Sequence, residues 1–497
     1  RALQTGACQA AARFGRTIAR MALNFIDNAS VPSLSGHTLP VIDPSDGQPF
    51  DELQRSDARD IDRAVRSARA CFDEHWGRLS AAERGRLLMA LSRKIAEHAD
   101  ELAALEQRDC GKPTQQARAD ATALARYFEF YAGACDKLHG ETLPYQSGYS
   151  VFTWREPHGV TGHVIPWNYP MQIFGRSVGG ALAAGNCCVV KPAEDACLSL
   201  LRVAQLAAEA GFPPGAINIV TGYGHEVGDA LARHPGIDHI SFTGSPKVGT
   251  LIQQVAAERH CPVTLELGGK SPQIIFADAD LDAALPVVIN AIVQNGGQTC
   301  SAGSRVLIQQ SIYDQMLERL GAAFEALRVG PASMNLDVGP LIRQSQQQRV
   351  WDFLSDAQTD GIPTVAQGQI VDEAPETGFY QAPVLLADVP VAHRVAQEEV
   401  FGPVLSAMPF RDEDHAVELA NATRFGLVAG VWTRDGARQF RMARRVKSGQ
   451  VFINNYGAGG GVELPFGGYK SSGYGREKGF EALYGFTVLK TVAVRHG

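Results

Sequence analysis

The chain has 497 residues, of which 45% are hydrophobic and 20% charged, with a net charge of −7. This length predicts two or three domains, and the acidic balance gives no general electrostatic reason to expect nucleic acid or an anionic membrane as a partner. The nine cysteines are scattered and form no CxxC pair, which favours free thiols in a reducing compartment over disulfides or a metal site.

Residues 1–20 carry four arginines and no acidic residue. This composition is typical of a mitochondrial-type presequence, although the stretch lacks serine. The alternative is a leader that precedes the natural start, because Met21–Ala22–Leu23 resembles one. We assign residues 1–20 to a leader or presequence outside the fold. The predicted location is cytoplasmic, or the mitochondrial matrix if the presequence is genuine.

Residues 57–137 have helical periodicity. Asp57 can cap a helix that runs through Arg69, and Ser80 begins a second helix with Glu83 at capping-box spacing. From about residue 158, short apolar runs alternate with helices, which predicts a doubly wound parallel sheet. The predicted strands are Gly159–Ile165, Cys187–Lys191, Ile217–Val220 and His239–Phe242. The predicted helices between them are Gly175–Ala184, Leu198–Ala210 and Glu226–Leu231.

A second α/β stretch begins near Glu266. Its predicted strands are Gln273–Phe276, Arg305–Gln309 and Val404–Phe410, and its predicted helices are Ala283–Gln294, Tyr313–Ala326 and Asp414–Ala420. Tyr149–Trp154 and Thr487–Val494 are isolated runs of β-branched and aromatic residues. We expect them to form an antiparallel pair outside both sheets, a flap suited to oligomerisation.

Cys300 and Glu266 are the candidates for covalent catalysis. Cys300 follows a helix that Gly296–Gly297 ends, so it lies on a turn where backbone amides can stabilise a thiolate. Its alternative is a buried structural cysteine. Glu266 lies in an apolar strand that ends in two glycines, where burial raises a carboxyl pKa toward that of a general base. Its alternative is a salt-bridged structural glutamate.

Asn168 lies between Pro166 and Pro170, and its side-chain amide can donate to a developing oxyanion. The alternative is an asparagine that caps the following helix. Lys191 and Glu194 follow an apolar strand, at the edge where nucleotides bind in open α/β sheets. Taken alone, they are more simply a surface ion pair.

Two further segments contain candidate cofactor contacts. Phe242–Gly249 follows a strand and opens a helix, whose exposed amides favour a pyrophosphate, although the glycine pattern is weak by itself. Glu398–Pro403 contains Glu399 and Phe401, with a helix end and a Gly-Pro turn as the alternative. The stretch Gly457–Glu463 is rich in glycine, and its Glu463 favours a cationic group or is a solvated charge.

With these motifs in this order, the chain from about Leu23 onward resembles the NAD(P)-dependent aldehyde dehydrogenases of the hydrolytic type. The resemblance implies oxidation of an aldehyde to its carboxylic acid. It makes Cys300 the nucleophile that forms a thiohemiacetal and then a thioester, and Glu266 the activator of the hydrolytic water. Asn168 and the backbone N–H of Cys300 then form the oxyanion hole.

The resemblance also implies NAD as the cofactor, with NADP as an alternative. Lys191 and Glu194 would bind the adenosine ribose, where the Glu194 carboxylate should repel the 2′-phosphate of NADP. Glu399 would bind the nicotinamide ribose. The full predicted cofactor set is Ile165, Pro166, Trp167, Lys191, Glu194, Gly224, Phe242, Thr243, Gly244, Ser245, Val248, Leu267, Gly268, Glu399 and Phe401.

The expected fold is therefore α/β, with two doubly wound parallel-sheet domains and a small β flap. Residues 21–137 and 156–265 are assigned to a Rossmann-like NAD-binding domain and residues 266–464 to a catalytic domain. Residues 138–155 and 465–497 are assigned to an oligomerisation or bridging segment. This arrangement predicts a homodimer or homotetramer, without choosing between them.

Two alternatives to the hydrolytic enzyme are a CoA-acylating semialdehyde dehydrogenase and a non-catalytic homologue on the same scaffold. Glu266 argues against the first, because relatives that acylate coenzyme A generally lack this glutamate. The complete set of catalytic residues argues against the second. The aldehyde itself is not predicted: aliphatic, aromatic, amino-aldehyde and semialdehyde substrates stay open.

Overall fold

The computed structural model describes residues 22–497, so the predicted leader lies outside the described residues. The strands of this part of the chain are β1 (Asn24–Ile26), β2 (Ala29–Val31), β3 (His37–Asp43), β4 (Gln48–Arg55), β5 (Thr142–Leu143), β6 (Tyr149–Pro157), β7 (Val160–Ile165), β8 (Cys187–Pro192), β9 (Ile217–Ile219), β10 (His239–Thr243), β11 (Val263–Glu266), β12 (Pro272–Ile275), β13 (Arg305–Gln309), β14 (Arg328–Val329), β15 (Thr364–Gln367), β16 (Gln369–Ile370), β17 (Val384–Leu386), β18 (Val404–Phe410), β19 (Phe425–Gly426), β20 (Val428–Trp432), β21 (Gln450–Ile453), β22 (Tyr469–Lys470), β23 (Gly473–Tyr474) and β24 (Thr487–Arg495).

The α-helices are α1 (Ala58–Glu74), α2 (Ala81–Glu97), α3 (Ala99–Cys110), α4 (Thr114–Ala134), α5 (Pro170–Ala184), α6 (Leu198–Glu209), α7 (Asp229–Arg233), α8 (Pro246–Ala257), α9 (Leu281–Val293), α10 (Tyr313–Ala326), α11 (Gln344–Thr359), α12 (Arg394–Gln397), α13 (Glu413–Asn421), α14 (Gly436–Arg445) and α15 (Glu481–Gly485). Asp57 caps α1, and a capping box of Ser80 with Glu83 begins α2, both as predicted. The Asp57 cap is also a capping box, with Asp60 as its partner. Among residues 22–497, no helix is long and apolar enough to cross a membrane.

The first sheet has a parallel centre in the order β9-β8-β7-β10-β11. Antiparallel β1 and β2 extend one edge, and antiparallel β23 extends the other. The order reverses between β7 and β10, because β8 and β9 lie to one side and β11 to the other. The carboxyl ends of β7 and β10 therefore open the crevice in which open α/β sheets bind nucleotides.

The second sheet has six parallel strands in the order β17-β18-β13-β12-β20-β21, with antiparallel β15 at one edge. The chain passes from the first sheet to the second between Glu266 and Pro272. Two parallel sheets confirm the predicted α/β class. This crossing joins the carboxyl end of β11 to the amino end of β12. The carboxyl edge of the first sheet therefore faces the amino edge of the second sheet.

A separate antiparallel sheet, β24-β6-β5, forms the predicted flap. β24 pairs with β6 along its whole length, from Thr487 opposite Pro157 to Arg495 opposite Tyr149. Trp154 and Leu489 are each about half exposed on this sheet. The preceding C-terminal segment returns to the core, where β22 pairs with β19 and β23 extends the first sheet.

Candidate active site

A cavity of about 520 Å³ lies where the two sheets face each other. Its wall combines residues that follow β7, β10 and β11 with residues that precede β13 and β18. The lining comprises Pro166, Trp167, Asn168, Thr243, Gly244, Ser245, Pro246, Lys247, Glu266, Leu267, Gly268, Cys300, Arg343, Gln346, Arg349, Glu398, Glu399, Phe401, Arg424 and Phe425. The three predicted catalytic residues, Cys300, Glu266 and Asn168, therefore meet at one cavity.

Cys300 lies in the cavity wall, just after a turn of three successive residues with left-handed backbone conformation. Asn295, Gly296 and Gly297 have φ of 51°, 62° and 72°. A Cβ at Gly297 would collide with the backbone of Gly402, so this position requires glycine. The turn ends α9 and leads the chain back to β13, leaving the Cys300 side chain half-buried.

The Cys300 thiol is protonated at neutral pH in this structure. Burial raises its pKa to about 12, although the nearby Arg176 guanidinium acts in the opposite direction. A backbone hydrogen bond with Ser301 also lowers this pKa, which is the direction that the turn amides predict, but desolvation is the larger effect. Nucleophilic attack requires the thiol proton to leave.

Asn168 connects the end of β7 to the Cys300 turn. Nδ2 of Asn168 donates to the carbonyl oxygen of Gln298 at 2.9 Å. The carbonyl oxygen of Asn168 accepts from Nδ2 of Asn295 at 2.9 Å. The helix-cap alternative is wrong, because α5 has Tyr169 at its N-cap and no side-chain cap. One Nδ2 hydrogen stays free, and none of the described residues accepts a bond from the Cys300 backbone N–H.

Glu266 ends β11 as a buried carboxyl group with no partner. In residues 22–497, no group forms a hydrogen bond with either oxygen, so the salt-bridge alternative is wrong. Burial raises its pKa well above the ordinary value; Arg176 opposes this shift and Glu477 adds to it. The carboxyl group therefore gives up its proton less readily than an exposed glutamate.

Arg176 and Glu477 form a buried ion pair behind this carboxyl group. Nε of Arg176 donates to Oε2 of Glu477 at 2.6 Å, and Nη2 donates to Oγ1 of Thr243 at 3.3 Å. Sequence reasoning missed this pair as part of the site. The available signal was Arg176 itself, the single charged residue of α5, because a charge in an apolar helix needs a partner.

The two glycines after Glu266 are required by close approaches from other segments. A Cβ at Gly269 would collide with the carbonyl oxygen of Cys300, and one at Gly268 with Oε2 of Glu399. Oε1 of Glu399 accepts from the Gly269 N–H at 2.9 Å, and burial raises the pKa of this carboxyl to about 7. Glu399 is thus fixed against the segment that follows β11. The alternative of a helix end and a turn does not account for this contact.

Phe401 follows Glu399 with a φ of 61°, and its ring packs edge-on against Trp167 with 5.4 Å between ring centres. Ser245 begins α8, where its Oγ accepts from the Val248 N–H at 3.3 Å. Pro246 and Lys247 follow in the first turn, which leaves the positive end of the helix at the cavity. Lys247 and Arg349 add positive charge to the same wall, where Arg343 is already paired with Asp195 at 2.6 Å, so the lining suits a pyrophosphate.

Lys191, Glu194 and Gly224 lie together but outside this cavity. Nζ of Lys191 donates to Oε2 of Glu194 at 2.8 Å, and a Cβ at Gly224 would lie 3.9 Å from the same Nζ. Burial alone would raise the pKa of Glu194, but the Lys191 ammonium holds it below its ordinary value. Glu194 is therefore a carboxylate at neutral pH. The Lys191–Glu194 ion pair, which was the alternative to cofactor binding, is thus present. Binding of the adenosine ribose by these two residues stays a prediction.

The other predicted cofactor residues divide into two groups. Ile165 and Phe242 are buried within their strands, and Val248 is exposed on the first turn of α8; none of the three lines the cavity. The remaining nine line it with the catalytic residues: Pro166, Trp167, Thr243, Gly244, Ser245, Leu267, Gly268, Glu399 and Phe401.

Comparison with known proteins gives one consistent result. The sequence model of the aldehyde dehydrogenase family matches residues 31–492. The chain is 40% identical over 473 residues to a hydroxyisobutyraldehyde dehydrogenase of Mycolicibacterium austroafricanum, covering 95% of this chain and 93% of that protein. Among solved structures, a provisionally assigned aldehyde dehydrogenase from Burkholderia cenocepacia is 73% identical, with a TM-score of 0.95. The match covers 96% of this chain and 100% of that chain. The aldehyde dehydrogenase in an NAD+ complex from Bacillus cereus is 38% identical, with a TM-score of 0.92. That match covers 96% of this chain and 97% of the other.

Proposed function

The chain belongs to the aldehyde dehydrogenase family, and we propose that it oxidises its aldehyde through Cys300, Asn168 and Glu266. It is an NAD-dependent oxidoreductase that acts on aldehydes, and no observation favours the CoA-acylating alternative. The observation that carries the assignment of residues is the meeting of an unpaired buried carboxyl, a half-buried thiol and a free amide at one cavity. NADH formation across an aldehyde panel, repeated with coenzyme A present, tests it.

In the first step, the Cys300 thiol passes its proton to water and its sulfur attacks the aldehyde carbon, giving a thiohemiacetal. The free hydrogen of Asn168 Nδ2 and the Cys300 N–H donate to the developing oxyanion. The Gln298 and Asn295 contacts fix the side chain and the carbonyl group of Asn168, which supports its role as a donor. The chemistry that NAD+ would supply, when bound, is an acceptor for the hydride of the carbonyl carbon.

In the second step, the acyl group is held as a thioester on Cys300. Glu266, once ionised, removes a proton from water, whose oxygen attacks the thioester carbonyl. The same two donors hold the second oxyanion. The carbon–sulfur bond then breaks, Cys300 regains a proton and the carboxylic acid leaves.

The residues present fit the cofactor. The amino end of α8 and the cations of the lining suit its pyrophosphate, and Glu399 offers a carboxylate to a ribose hydroxyl. Lys191, Glu194 and Gly224 would hold the adenosine side.

Glu194→Ser is expected to shift the preference from NAD+ toward NADP+ by about tenfold or more, because it removes a carboxylate that repels the 2′-phosphate. The measurement is kcat/KM for each cofactor with the same aldehyde. A ratio unchanged from the wild type would rule out Glu194 as the discriminating group.

Asn168→Ala is expected to lower kcat by roughly 100- to 1,000-fold, the cost of one oxyanion donor. Acylation and hydrolysis should both slow, because both oxyanions use this donor, so the rapid first turnover of NADH should slow with the steady state. NAD+ affinity, measured by calorimetry, is the control and should not change. A variant with a normal first turnover would exclude Asn168 from the oxyanion hole.

We also propose that the flap joins two or four copies of the chain, on the support of its half-exposed Trp154, Val488 and Leu489. Leu489→Asp should reduce the mass measured by light scattering toward that of one 53.4 kDa chain. A wild-type mass of one chain would contradict the proposal. The domain bounds given above and a cytoplasmic location stay predictions of the sequence.

A further inference from the structure

The two residues that flank Cys300 are each held by a tyrosine from another segment of the chain. Tyr169 lies between the end of β7 and the start of α5, and its phenolic oxygen accepts from Oγ1 of Thr299 at 3.2 Å. Tyr456 follows β21, and its hydroxyl donates to the carbonyl oxygen of Ser301 at 2.6 Å. The nucleophile therefore lies between two fixed points, one held from the side of each large sheet.

The oxygen of Tyr169 also spans the left-handed turn that precedes Cys300. It accepts from Nε2 of Gln294 at 2.8 Å as well as from Thr299, so one atom joins the residues before and after the turn. The ring is itself fixed, because Nζ of the buried Lys112 lies 4.1 Å from its centre. Loss of this oxygen would remove the acceptor of two donors and loosen the turn.

The ring of Tyr456 is fixed by close packing. It lies edge-on to the ring of Phe452 with 5.9 Å between ring centres, and a Cβ at Gly430 would lie 3.1 Å from its Cδ2. Tyr456, Phe452 and Cys300 all pack against one small apolar cluster, which consists of Leu427, Val428 and Phe466. The thiol and the tyrosine ring therefore share one apolar wall, and a shift of the ring would change the packing of the thiol.

Ser301 connects Tyr456 to the sulfur itself. Burial raises the pKa of the Cys300 thiol, and a hydrogen bond from the backbone N–H of Ser301 acts in the opposite direction. The carbonyl oxygen of the same Ser301 accepts from Tyr456. Because this contact fixes the Ser301 backbone, it also fixes the direction of the N–H toward the sulfur.

We propose that Tyr169 and Tyr456 are positioning residues, which hold the neighbours of Cys300 so that its sulfur is directed at the aldehyde carbon. This inference rests on the proposed function of Cys300 and deepens it. Neither tyrosine lines the cavity, so each acts through the chain beside the nucleophile and touches neither substrate nor cofactor. Attack depends steeply on the direction of approach, so a small displacement of the sulfur slows the reaction without weakening binding.

Tyr169→Phe and Tyr456→Phe each remove one oxygen and keep the ring. We expect each variant to slow the first NADH turnover with butanal, followed by stopped flow, by roughly 10-fold. The butanal and NAD+ concentrations that give half of the maximal rate should change by less than about twofold, because binding is not affected.

Tyr380→Phe is the matched control. The Tyr380 hydroxyl also donates to a serine carbonyl oxygen at 2.6 Å, that of Ser45, and Tyr380 does not line the cavity. This variant loses the same kind of hydrogen bond at a place remote from Cys300 in the chain. It should keep the wild-type rate of the first turnover.

A second readout follows the sulfur without aldehyde or NAD+. Iodoacetamide alkylates the thiolate form, so mass spectrometry of the peptide that contains Cys300 gives the alkylation rate at each pH. Tyr456→Phe should slow alkylation by roughly 3- to 10-fold at every pH from about 7 to 9, because the Ser301 N–H no longer stabilises the thiolate as well. A merely structural role predicts the opposite change, since loosened packing would expose the thiol to the reagent.

A wild-type first-turnover rate in either Tyr169→Phe or Tyr456→Phe overturns this inference and leaves the proposed function intact. Faster alkylation of Cys300 in Tyr456→Phe, or an equal loss of rate in Tyr380→Phe, overturns it as well. A wild-type enzyme that forms no NADH from any aldehyde of the panel overturns the proposed function together with the inference.

Discussion

Cys300→Ala is expected to abolish aldehyde oxidation, lowering kcat by at least about 10⁴-fold. The alanine variant keeps the cavity, the amide of Asn168 and the carboxyl of Glu266, but no other group can form the covalent bond to the carbonyl carbon. NADH absorbance with butanal and saturating NAD+ measures the loss. Because the side chain is only half-buried, the melting temperature should change little.

Cys261→Ala is the matched control. Cys261 and Cys300 are the two cysteines that are not fully buried within residues 22–497. The Cys261 thiol donates to the carbonyl oxygen of Ile237 and does not line the cavity. This variant should retain wild-type activity. Full oxidation by Cys300→Ala would contradict the role of Cys300.

Glu266→Gln is expected to separate the two halves of the reaction. Glutamine cannot act as the base for water, so the steady-state rate should fall by roughly 100- to 10,000-fold. Hydride transfer precedes that step and should continue, so stopped-flow fluorescence should record a burst of about one NADH per active chain. A normal steady-state rate, or a slow phase without a burst, would place Glu266 outside hydrolysis.

The raised pKa of Glu266 also fixes the direction of the pH dependence. A general base is active only when deprotonated, so hydrolysis should increase as pH rises through the pKa of the folded state. Burial places that pKa well above the ordinary value of 4.5, so the increase should occur at higher pH than for an exposed glutamate. Glu266→Gln should lose this limb of the profile.

Continuous apolar runs with turn residues at both ends were sufficient to predict much of the fold. β13 and β18 have the predicted bounds, because Arg305–Gln309 and Val404–Phe410 are each bounded by polar or turn-forming residues. The sequence predicts a helix from Gly175, whereas α5 begins at Pro170, since a proline in the first turn is compatible with a helix but does not require one. The short strands β1 and β23 join the first sheet through partners distant in sequence, which no local pattern indicates.

The active site likewise combines residues that a local motif predicts with residues that only the packing of distant segments brings together. Cys300, Glu266 and Asn168 each lie in a local motif, and the structure places all three at one cavity. The Arg176–Glu477 pair joins residues 301 positions apart, so its existence depends on the packing of α5 against the C-terminal segment. The burial that raises the pKa of Cys300 depends on packing in the same way, because the amides of a turn are visible in sequence and the burial of the thiol is not.

The most direct test of the central claim is peptide mass spectrometry of Glu266→Gln after a brief reaction with butanal and NAD+. Slow hydrolysis should leave the acyl group on the enzyme, so the peptide that contains Cys300 should carry the mass of one butanoyl group. The same peptide from Glu266→Gln treated without NAD+ should carry none. Formation of NADH with an unmodified Cys300, or with the butanoyl group on another cysteine, would contradict covalent catalysis by Cys300.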